Sequence, residues 1–320
     1  MQSTHFLAGK PLIPTHEVEA CLGNSHSGST IVASGYDFEY RTCANLFEIR
    51  RANDCSLHFL SPQPDPEALR IIYPSEYIPF HFHELRGPVR WARDLVQRGK
   101  ARAILRLAGE GGHILDVGTG SGTLLRLLAR MGTDPATLWA NDFSAEVLSD
   151  LSRQGFQILT GPAESLQTGK RFRVICLNQV LEHLQNPVAV INRLSRLIEK
   201  GGHLFIETPS TEGIDFHFFR RRYWGGYHFP RHFWLFNEAS LKQLLEQAGL
   251  RIAEVRYLCS PAFWIQSCHH ALLDKGWPRL SRFFSEKNPL LLAPFTALDF
   301  AIIGVRGKTS NIRIVAQKVA

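Results

Sequence analysis

The stretch HILDVGTGSGTLL, residues 113–125, decides the fold of this chain. An apolar run ends at Asp116, three glycines follow at alternate positions (Gly118, Gly120 and Gly122), and a second apolar run begins directly after them. This pattern predicts a buried strand, a tight turn and the start of a helix. In an open α/β sheet such a turn is the usual ligand site, because glycine adopts unusual dihedrals and has no Cβ to keep a ligand away from the backbone.

On both sides of this stretch, strand-like apolar runs alternate with helical patterns. Alternation of this kind predicts an α/β protein with a doubly wound parallel sheet that carries helices on both faces. The strand-like runs are HILDVG (113–118), TLWAND (137–142), FQILTG (156–161), FRVICLNQ (172–179), HLFIETP (203–209), LRIAEVRYL (250–258) and NIRIVAQKV (311–319).

We divide the chain into a small N-terminal segment, residues 1–85, and a larger domain, residues 86–320. The first 85 residues are rich in turn formers and poor in long periodic segments. A long stretch separates the last two strand-like runs, so we predict a helical insertion at about 259–310, before the last strand.

Composition sets limits on the class of protein. With 320 residues, of which 44% are hydrophobic, the chain can bury a full core. We expect neither a spanning helix nor a secretory signal, since no run of 18 apolar residues is present and no apolar stretch follows a basic start. The six cysteines lack paired spacing, which favours a reducing cytoplasm over a disulfide framework. The net charge of +7 fits an anionic substrate, a membrane surface, nucleic acid or a solvated basic surface.

Two carboxylates indicate the kind of ligand. The dinucleotide fingerprint requires a glycine where this chain has Thr123, so the turn fits better a ligand that lacks a pyrophosphate. Asp116 would repel phosphates and favour an ammonium group. Asp142, at the end of the next strand, can accept two hydrogen bonds from a ribose diol, and Phe143 can lie on an adenine face. Alternatively, Asp142 caps the helix that begins near Ser144, although Ser144 can cap that helix itself.

With the block NQVLEHLQNPVAVINRLSRLIEKGGHLFIETPS, residues 178–210, the chain resembles class I S-adenosylmethionine-dependent methyltransferases, and the similarity runs from about residue 104 to 258. The resemblance implies a mostly parallel, seven-stranded, Rossmann-like sheet with S-adenosylmethionine as cofactor. The cofactor-binding residues that it implies are Asp116, Gly118, Gly120 and Gly122 at the methionine end, Asp142 at the ribose, Phe143, Ala163 and Glu164 beside the adenine, and Asn178 near the sulfonium.

A second resemblance concerns the flanks. The segment RYWGGYHFPRHFWLFNEASLKQLLEQAGL, residues 222–250, resembles the substrate side of a subfamily whose N-terminal segment begins with two Cys-x-x-Cys zinc knuckles. Here Cys21 is followed by Asn24, and Cys55 is preceded by Ala52, so two of the four ligands are missing and no tetrahedral zinc site is expected. We interpret the N-terminal segment as a degenerate zinc-ribbon-like lid; a simple packing extension is the alternative.

Methyl transfer to a hydroxyl also requires a base, and histidine is the usual one near neutral pH. His232, in PRHFWLF, is the first candidate for a catalytic residue and His228 the second; either can instead bind loop backbone. The block also resembles metal-assisted ubiquinone-pathway O-methyltransferases, but Gln179 stands at their first acidic position. Glu182 and His183 are therefore interpreted as structural, and no metal is predicted.

The apolar run PLLLAPFTALDFAIIGV, residues 289–305, is predicted to be too short to span a bilayer. It could line an acceptor pocket, or rest on a membrane interface where Arg220, Arg221, Arg222 and Arg231 meet anionic groups. It could also form a buried helical pair that covers the sheet. We favour burial for most of its leucines and expect its aromatic residues to reach the acceptor.

The sequence thus predicts a cytoplasmic enzyme that transfers a methyl group from S-adenosylmethionine to a small-molecule acceptor. The expected acceptor is a hydroxyl of a secondary metabolite, a sugar or a lipid-like compound. N- or C-methylation, an NAD-dependent oxidoreductase and a non-catalytic adenosyl-binding protein are the alternatives. No nucleic-acid partner is expected, because the sequence contains neither an Asn/Asp-Pro-Pro-aromatic element nor an RNA-binding module. Peripheral membrane contact stays open, and the sequence does not decide the oligomeric state.

Overall fold

The computed structural model describes residues 7–18, 20–22, 24–25, 28–74 and 87–319. The chain forms two compact units, each assembled from several stretches. The first unit comprises residues 1–77, 209–240 and 257–312, and the second comprises residues 78–208, 241–256 and 313–320. The domain boundary predicted at residue 85 lies outside the described residues and stays a prediction.

The elements of the described chain are numbered in chain order. The strands are β1 (Thr15–His16), β2 (Ala20–Cys21), β3 (Asn24–Ser25), β4 (Ser29–Gly35), β5 (Phe47–Ala52), β6 (His58–Leu60), β7 (Gln63–Pro64), β8 (Ile114–Val117), β9 (Leu138–Asn141), β10 (Gln157–Leu159), β11 (Phe172–Asn178), β12 (Ile198–Pro209), β13 (Trp234–Leu235), β14 (Leu250–Tyr257) and β15 (Asn311–Lys318). The helices are α1 (Leu69–Ile72), α2 (Gly87–Ala108), α3 (Thr123–Arg130), α4 (Ala145–Arg153), α5 (Pro187–Leu197), α6 (Ile214–Phe219), α7 (Glu238–Gln247), α8 (Pro261–Asp274), α9 (Pro278–Phe283) and α10 (Pro289–Arg306).

A seven-stranded sheet forms the centre of the second unit, with the strand order β10-β9-β8-β11-β12-β15-β14. The four pairs from β10 to β12 are parallel. In β11 the consecutive side chains Val174, Ile175, Cys176 and Leu177 are all fully buried. Because neighbouring side chains of a strand point to opposite faces, both faces of this sheet are covered. The predicted doubly wound, mostly parallel, seven-stranded fold is confirmed.

The helix after the glycine turn shows why the chain winds in this way. In α3 the side chains of Leu124, Leu125, Leu127 and Leu128 are buried, and they join one apolar core with residues of α2, α4 and the sheet. This spacing puts the leucines on the side of the helix that packs against the sheet.

The direction of the sheet reverses at β8. The chain continues from β8 to β9 and β10 on one side, and later returns to β11 and β12 on the other side. At such a reversal the loops after the two neighbouring strands diverge and leave a crevice at the carboxyl ends of the strands. The glycine turn begins directly after Val117, the last residue of β8, so it lies at this crevice.

A buried carboxylate with two cations ties three elements of the second unit together. Glu207 of β12 contacts Lys100 Nζ of α2 at 2.5 Å and accepts a hydrogen bond from Arg313 Nε of β15 at 2.8 Å. All three side chains are buried. Burial raises the pKa of the Glu207 carboxyl, but the two cations outweigh burial and hold the pKa below its ordinary value.

The first unit contains a four-stranded sheet with the order β13-β6-β5-β4, in which all three strand pairs are antiparallel. The N-terminal strands therefore share a sheet with β13, which lies far along the chain. A fully buried ion pair reinforces this link, since Arg231 Nη1 and Nη2 contact the two Asp37 carboxylate oxygens at 3.1 and 2.9 Å. Arg231 Nε also donates to the Ile72 carbonyl oxygen at 2.6 Å.

The cysteine spacing favours a reducing cytoplasm over a disulfide framework, and the described residues contain both free and bonded cysteines. Cys43, Cys176, Cys259 and Cys268 are free, whereas Cys55 is disulfide-bonded.

The predicted helical insertion is confirmed, because α8, α9 and α10 lie between β14 and β15. The prediction that most of its leucines are buried is wrong. Of the 18 residues in α10, all of which the structure describes, only Asp299 and Ile302 are buried. The expectation that this run is too short to span a bilayer is not borne out by length and composition alone, since the 18-residue helix α10 is long and apolar enough to cross a membrane.

Replacing Glu207 with glutamine tests the buried charge cluster of the second unit. The Glu207→Gln variant leaves Lys100 and Arg313 buried without a counter-charge, so we expect a loss of roughly 3–5 kcal/mol in the free energy of unfolding. Urea unfolding at neutral pH measures this loss.

The same variant makes a prediction about pH. Because the folded-state pKa of Glu207 is lowered, the carboxylate stabilises the fold above its ordinary pKa, and this contribution is lost as the pH falls through the lowered value. The difference between wild type and Glu207→Gln should therefore shrink in acid. Exposed Glu110 supplies the control, and Glu110→Gln should leave the midpoint of unfolding almost unchanged. Equal effects of both variants would contradict the prediction.

Candidate cofactor site and candidate catalytic histidines

The three glycines of the turn all have left-handed backbone conformations, with φ of +66° at Gly118, +53° at Gly120 and +70° at Gly122. A Cβ at Gly118 would lie 2.6 Å from a methyl carbon of Val180, and a Cβ at Gly122 would lie 2.6 Å from a methyl carbon of Leu151. A Cβ at Gly120 would meet no described atom within 4 Å. Two of the glycines are thus required by the packing of the protein itself, and Gly120 borders open space.

The end of β9 holds this turn in place. The Asn141 carbonyl oxygen accepts hydrogen bonds from the backbone nitrogens of Gly118 and Thr119, at 2.8 and 3.1 Å. The Asp142 side chain accepts from Gly120 N at 2.8 Å and from Ser144 N at 3.0 Å. Ser144 caps α4 through Val147 N, as the sequence predicted.

Asp142 therefore joins the glycine turn to the start of α4, which includes part of the helix-capping role that the sequence left as its alternative. A carboxylate has about four acceptor positions, so two hydrogen bonds to the backbone leave capacity for a ligand. Burial raises the pKa of Asp142.

Asp116 and Asn178 meet at the carboxyl ends of β8 and β11. Asn178 Nδ2 donates to Asp116 Oδ1 at 3.3 Å, and Thr119 Oγ1 donates to Asp116 Oδ2 at 2.9 Å. Asn178 Oδ1 is buried and has no hydrogen-bond partner among the described residues. Burial raises the pKa of Asp116 to about 6.

The residues predicted beside the adenine follow strands β9 and β10. Phe143 is 83% exposed, and Ala163 is buried in a short 3-10 helix, Ala163–Ser165, that also contains half-buried Glu164. The loop that leads to this helix is held by Asn141, whose Nδ2 donates to the carbonyl oxygens of Leu159 and Gly161 at 2.9 and 3.0 Å. Asn141 thus binds the glycine turn through its backbone carbonyl, and it binds the loop before Ala163 through its side chain.

These groups fit the parts of S-adenosylmethionine. The acceptor atoms of Asp116 and the unpartnered Asn178 Oδ1 suit an ammonium group, which only donates hydrogen bonds. The remaining acceptor capacity of Asp142 suits a ribose diol, and the exposed Phe143 ring can stack on a base. The Gly120 nitrogen donates to Asp142, and the open space beside Gly120 makes it the position at which a ligand can approach the backbone.

Glu182 is one of the two residues that the sequence assigned a structural role. It is fully buried after β11, and its carboxylate accepts a hydrogen bond from Thr208 Oγ1 of β12 at 2.9 Å. Burial raises the pKa of Glu182 to about 8.

The candidate catalytic histidines belong to the first unit, where both are buried. His232 Nδ1 lies 2.8 Å from the Gly226 carbonyl oxygen. Because a carbonyl oxygen only accepts hydrogen bonds, Nδ1 carries the proton of the neutral ring, and Nε2 carries the basic lone pair. His228 Nδ1 contacts Glu39 Oε2 at 2.7 Å, and the two imidazole rings lie 4.9 Å apart.

Several residues of these sites were missed by the sequence analysis. Asn141 and Thr119 stand beside predicted site residues, and a polar Asn at the end of an apolar strand was a usable signal. Glu39 and Asp37 gave no such signal, because nothing in the pattern connects them to residues almost two hundred positions later.

Comparison with known proteins agrees with this geometry. A family model described as "Methyltransferase domain" matches residues 90–255, which is more than half of the chain. The tRNA U34 carboxymethyltransferase of Colwellia psychrerythraea is 29% identical over 141 residues, 42% of this chain and 43% of that protein. The ubiquinone biosynthesis O-methyltransferase of Xanthomonas oryzae pv. oryzae is 34% identical over 112 residues, 32% of this chain and 45% of that protein. The chain thus spans less than half the length of these relatives.

Among solved structures, the 1,6-didemethyltoxoflavin-N1-methyltransferase of Burkholderia thailandensis, with bound 1,6-didemethyltoxoflavin and S-adenosylhomocysteine, has a TM-score of 0.50. The sequence identity is 15%, and the match covers 84% of this chain and 99% of that chain. At this identity the likeness shows the fold alone. By its family match and its sheet, the chain belongs to the methyltransferase-domain family and has the class I, Rossmann-like fold of S-adenosylmethionine-dependent methyltransferases.

Proposed function

We propose that the protein transfers a methyl group from S-adenosylmethionine to a small-molecule acceptor, with a hydroxyl of a secondary metabolite, a sugar or a lipid-like compound as the methylated group. N- or C-methylation of a similar acceptor is the alternative within the same reaction class. The cytoplasmic location predicted from the sequence is part of this proposal.

The observation that carries the proposal is the open space at Gly120. The protein's own packing accounts for glycine at positions 118 and 122, but no described atom lies within 4 Å of a Cβ at position 120. The turn is nevertheless held in place by Asp142 and Asn141. An ordered turn with open space beside its backbone, at the reversal of a parallel sheet, is the arrangement expected of a ligand site.

S-adenosylmethionine, when bound, supplies an electrophilic methyl group next to a sulfonium. The chain's contribution is to hold the ammonium end at Asp116 and Asn178 and the ribose at Asp142. Binding two reactants in a fixed orientation and excluding water provide much of the acceleration of such a displacement. The proton of an acceptor hydroxyl goes to His232 Nε2, the nitrogen that keeps a lone pair while Nδ1 donates to Gly226.

His228 is the second candidate for the base. Its contact with Glu39 resembles the way in which a carboxylate orients a histidine and stabilises its protonated form. Burial raises the pKa of Glu39, but His228 together with His270 and Arg231 outweighs burial and holds the pKa below its ordinary value, which keeps Glu39 ionised.

The interpretation of the N-terminal segment as a degenerate zinc ribbon is also a proposal. It is supported by the short hairpin of β2 and β3 at Cys21, where a zinc knuckle would stand. Cys55, at the position of the second knuckle, is disulfide-bonded and so supplies no thiolate to a metal.

A nucleic-acid acceptor is the second candidate function. One observation favours it, namely the similarity to a relative named as a tRNA U34 carboxymethyltransferase. The net charge of +7 is compatible with a polyanionic acceptor.

Calorimetric titration tests the cofactor. We expect binding of S-adenosylmethionine and of S-adenosylhomocysteine, and none of NAD. Gly120→Ala should raise the dissociation constant by at least about tenfold, or roughly 1.4 kcal/mol, because the new methyl group occupies the open space beside the turn.

Gly109→Ala is the matched control. Gly109 has a φ of +66°, and a Cβ at this position would also meet no described atom within 4 Å. Both variants introduce similar backbone strain, so their melting temperatures should fall to a similar extent. Binding of NAD in place of S-adenosylmethionine would support the oxidoreductase alternative, and unchanged binding by Gly120→Ala would remove the turn from the site.

His232→Asn tests the proposed base. Asparagine can still donate a hydrogen bond to the Gly226 carbonyl oxygen, but it has no basic nitrogen. We expect turnover to fall by about 10²–10⁴-fold while the affinity for S-adenosylmethionine is unchanged. Exposed His217 provides the control, and His217→Asn should keep wild-type turnover. Full activity of His232→Asn would exclude His232 as the base.

Isotope-labelled S-adenosylmethionine identifies the acceptor class. The enzyme is incubated with a metabolite extract and, separately, with total tRNA, and mass spectrometry follows the label. We expect label in a small molecule through a new oxygen–methyl bond. Label on nitrogen or carbon would select the alternative chemistry, and label only in tRNA would select the second candidate function. Binding of S-adenosylmethionine without transfer to any acceptor would support a non-catalytic adenosyl-binding protein.

A further inference from the structure

Helix α10 differs from an ordinary surface helix in the residues that it exposes to solvent. A surface helix turns its apolar stripe inward and its polar side to water. In α10 the most polar side chain, Asp299, is buried, and Thr296 is half-buried. The exposed residues of α10, apart from Arg306 at its end, are all apolar: Pro289, Leu290, Ala293, Pro294, Ala297, Leu298, Phe300, Ala301, Gly304 and Val305.

The inner side of α10 is fixed to α8. Asp299 Oδ2 accepts a hydrogen bond from Ser260 N at 2.6 Å, and Asp299 Oδ1 accepts one from Trp264 Nε1 at 3.0 Å. The Trp264 and Phe295 rings are stacked with their centroids 6.0 Å apart. These contacts determine which side of α10 faces outward.

The chain around α9 adds exposed side chains of two kinds. Trp277, Leu280 and Phe283 are each about half exposed, and they recur at every third position. Between and beside them lie exposed basic residues, none of which forms an ion pair with a described residue: Lys275, Arg279, Arg282 and Lys287.

Acidic groups of the insertion are turned inward. Between residues 275 and 306 the acidic residues are Glu286 and Asp299. Glu286 accepts a hydrogen bond from Gln266 Nε2, and burial raises the pKa of Glu286 to about 7. Burial also raises the pKa of Asp299. The outward charge of the insertion is therefore positive.

Two arginines that the sequence analysis assigned to anionic groups have partners within the protein. Arg231 is fully buried against Asp37, and Arg222 Nε contacts Asp274 Oδ2 at 3.1 Å. The interpretation of Arg222 and Arg231 as anion-binding residues is wrong, because these carboxylates already neutralise them. The other two arginines of that prediction, Arg220 and Arg221, are exposed.

We propose that the outward side of α10 and the exposed residues around α9 form a membrane-docking surface that lies on an anionic lipid bilayer. Aromatic and aliphatic side chains enter the boundary between headgroups and acyl chains, while lysine and arginine meet anionic headgroups. Exposed Trp and Phe beside basic residues without a carboxylate partner among the described residues match the interface of an anionic bilayer. A second copy that contributed only apolar area would leave the positive charge of this surface without a counter-charge.

The contacts of α10 favour lying on the bilayer over crossing it. A helix of 18 residues is about 27 Å long, slightly less than the hydrocarbon thickness. More decisively, Asp299 is near its middle and is held by α8, which carries Gln266, His269 and His270. Crossing the membrane would require α10 to leave these contacts or to carry α8 with it.

Flotation of the full chain with lipid vesicles tests the proposal. One set of vesicles contains phosphatidylcholine alone, and the other contains phosphatidylcholine and phosphatidylglycerol in equal amounts. We expect the protein to float with the anionic vesicles and to bind the neutral ones more weakly, with the difference reduced by high salt. The double variant Phe300→Ser and Val305→Ser should lower the partition coefficient by at least about tenfold, since two exposed apolar side chains lose their lipid contact.

Leu95→Ser and Val96→Ser form the matched control, because both residues are exposed apolar positions of helix α2 in the other unit. This control should float like wild type, and melting temperatures show whether each variant is folded. The charge variant Arg279→Glu and Arg282→Glu should lose binding to anionic vesicles and keep its weak binding to neutral ones.

Three results would overturn the proposal. The first is that the wild-type protein does not float with the vesicles. The second is that the α2 control loses as much vesicle binding as the double variant of α10. The third is protein that resists alkaline carbonate extraction from the vesicles, which would indicate a crossing helix. A concentration-dependent dimer that Phe300→Ser and Val305→Ser abolish, without any vesicle binding, would assign this surface to a second copy instead. The assay measures lipid binding only, so its result is independent of methyl transfer.

Discussion

The hydrogen bonds between the end of β9 and the glycine turn after β8 are the constraint on which the candidate site depends. A turn with three left-handed glycines has many alternative conformations in the unfolded chain, and ordering it is costly in entropy. The Asn141 carbonyl oxygen and the Asp142 carboxylate compensate by accepting three backbone N–H groups of this turn. The backbone of the candidate site is therefore held in place by hydrogen bonds to the end of the neighbouring strand.

Buried charge organises both units in the same way. In the second unit Glu207 is neutralised by Lys100 and Arg313, and in the first unit Asp37 is neutralised by Arg231. Such groups are tolerated inside a protein because each charge has a partner with good geometry. In the first unit the ion pair joins the N-terminal strands to a segment that follows the fifth strand of the large sheet. The N-terminal segment is consequently part of a composite unit in which the candidate histidines also lie.

The helical insertion differs, since it exposes many apolar side chains while the carboxylates of Glu286 and Asp299 bind groups of the protein. Exposing this much apolar surface is unfavourable in water. The contacts of Asp299 with Ser260 and Trp264 stabilise the arrangement from the protein side. A lipid surface would stabilise the exposed apolar side chains of α10. Docking on such a surface would place the enzyme next to apolar acceptors.

The sequence by itself determined the sheet, because the alternation of apolar runs and helical patterns depends on local periodicity. The family resemblance implied that Asp116, Asn178, Asp142 and the glycines share one site, and the structure has them at or just after the carboxyl ends of the neighbouring strands β8, β11 and β9. Only the tertiary structure decided that Asp142 binds the turn, that Arg231 is buried against Asp37, and that most apolar residues of α10 are not buried. These outcomes depend on which distant element covers a residue, and an apolar helix has the same sequence pattern whether protein, water or lipid lies against it.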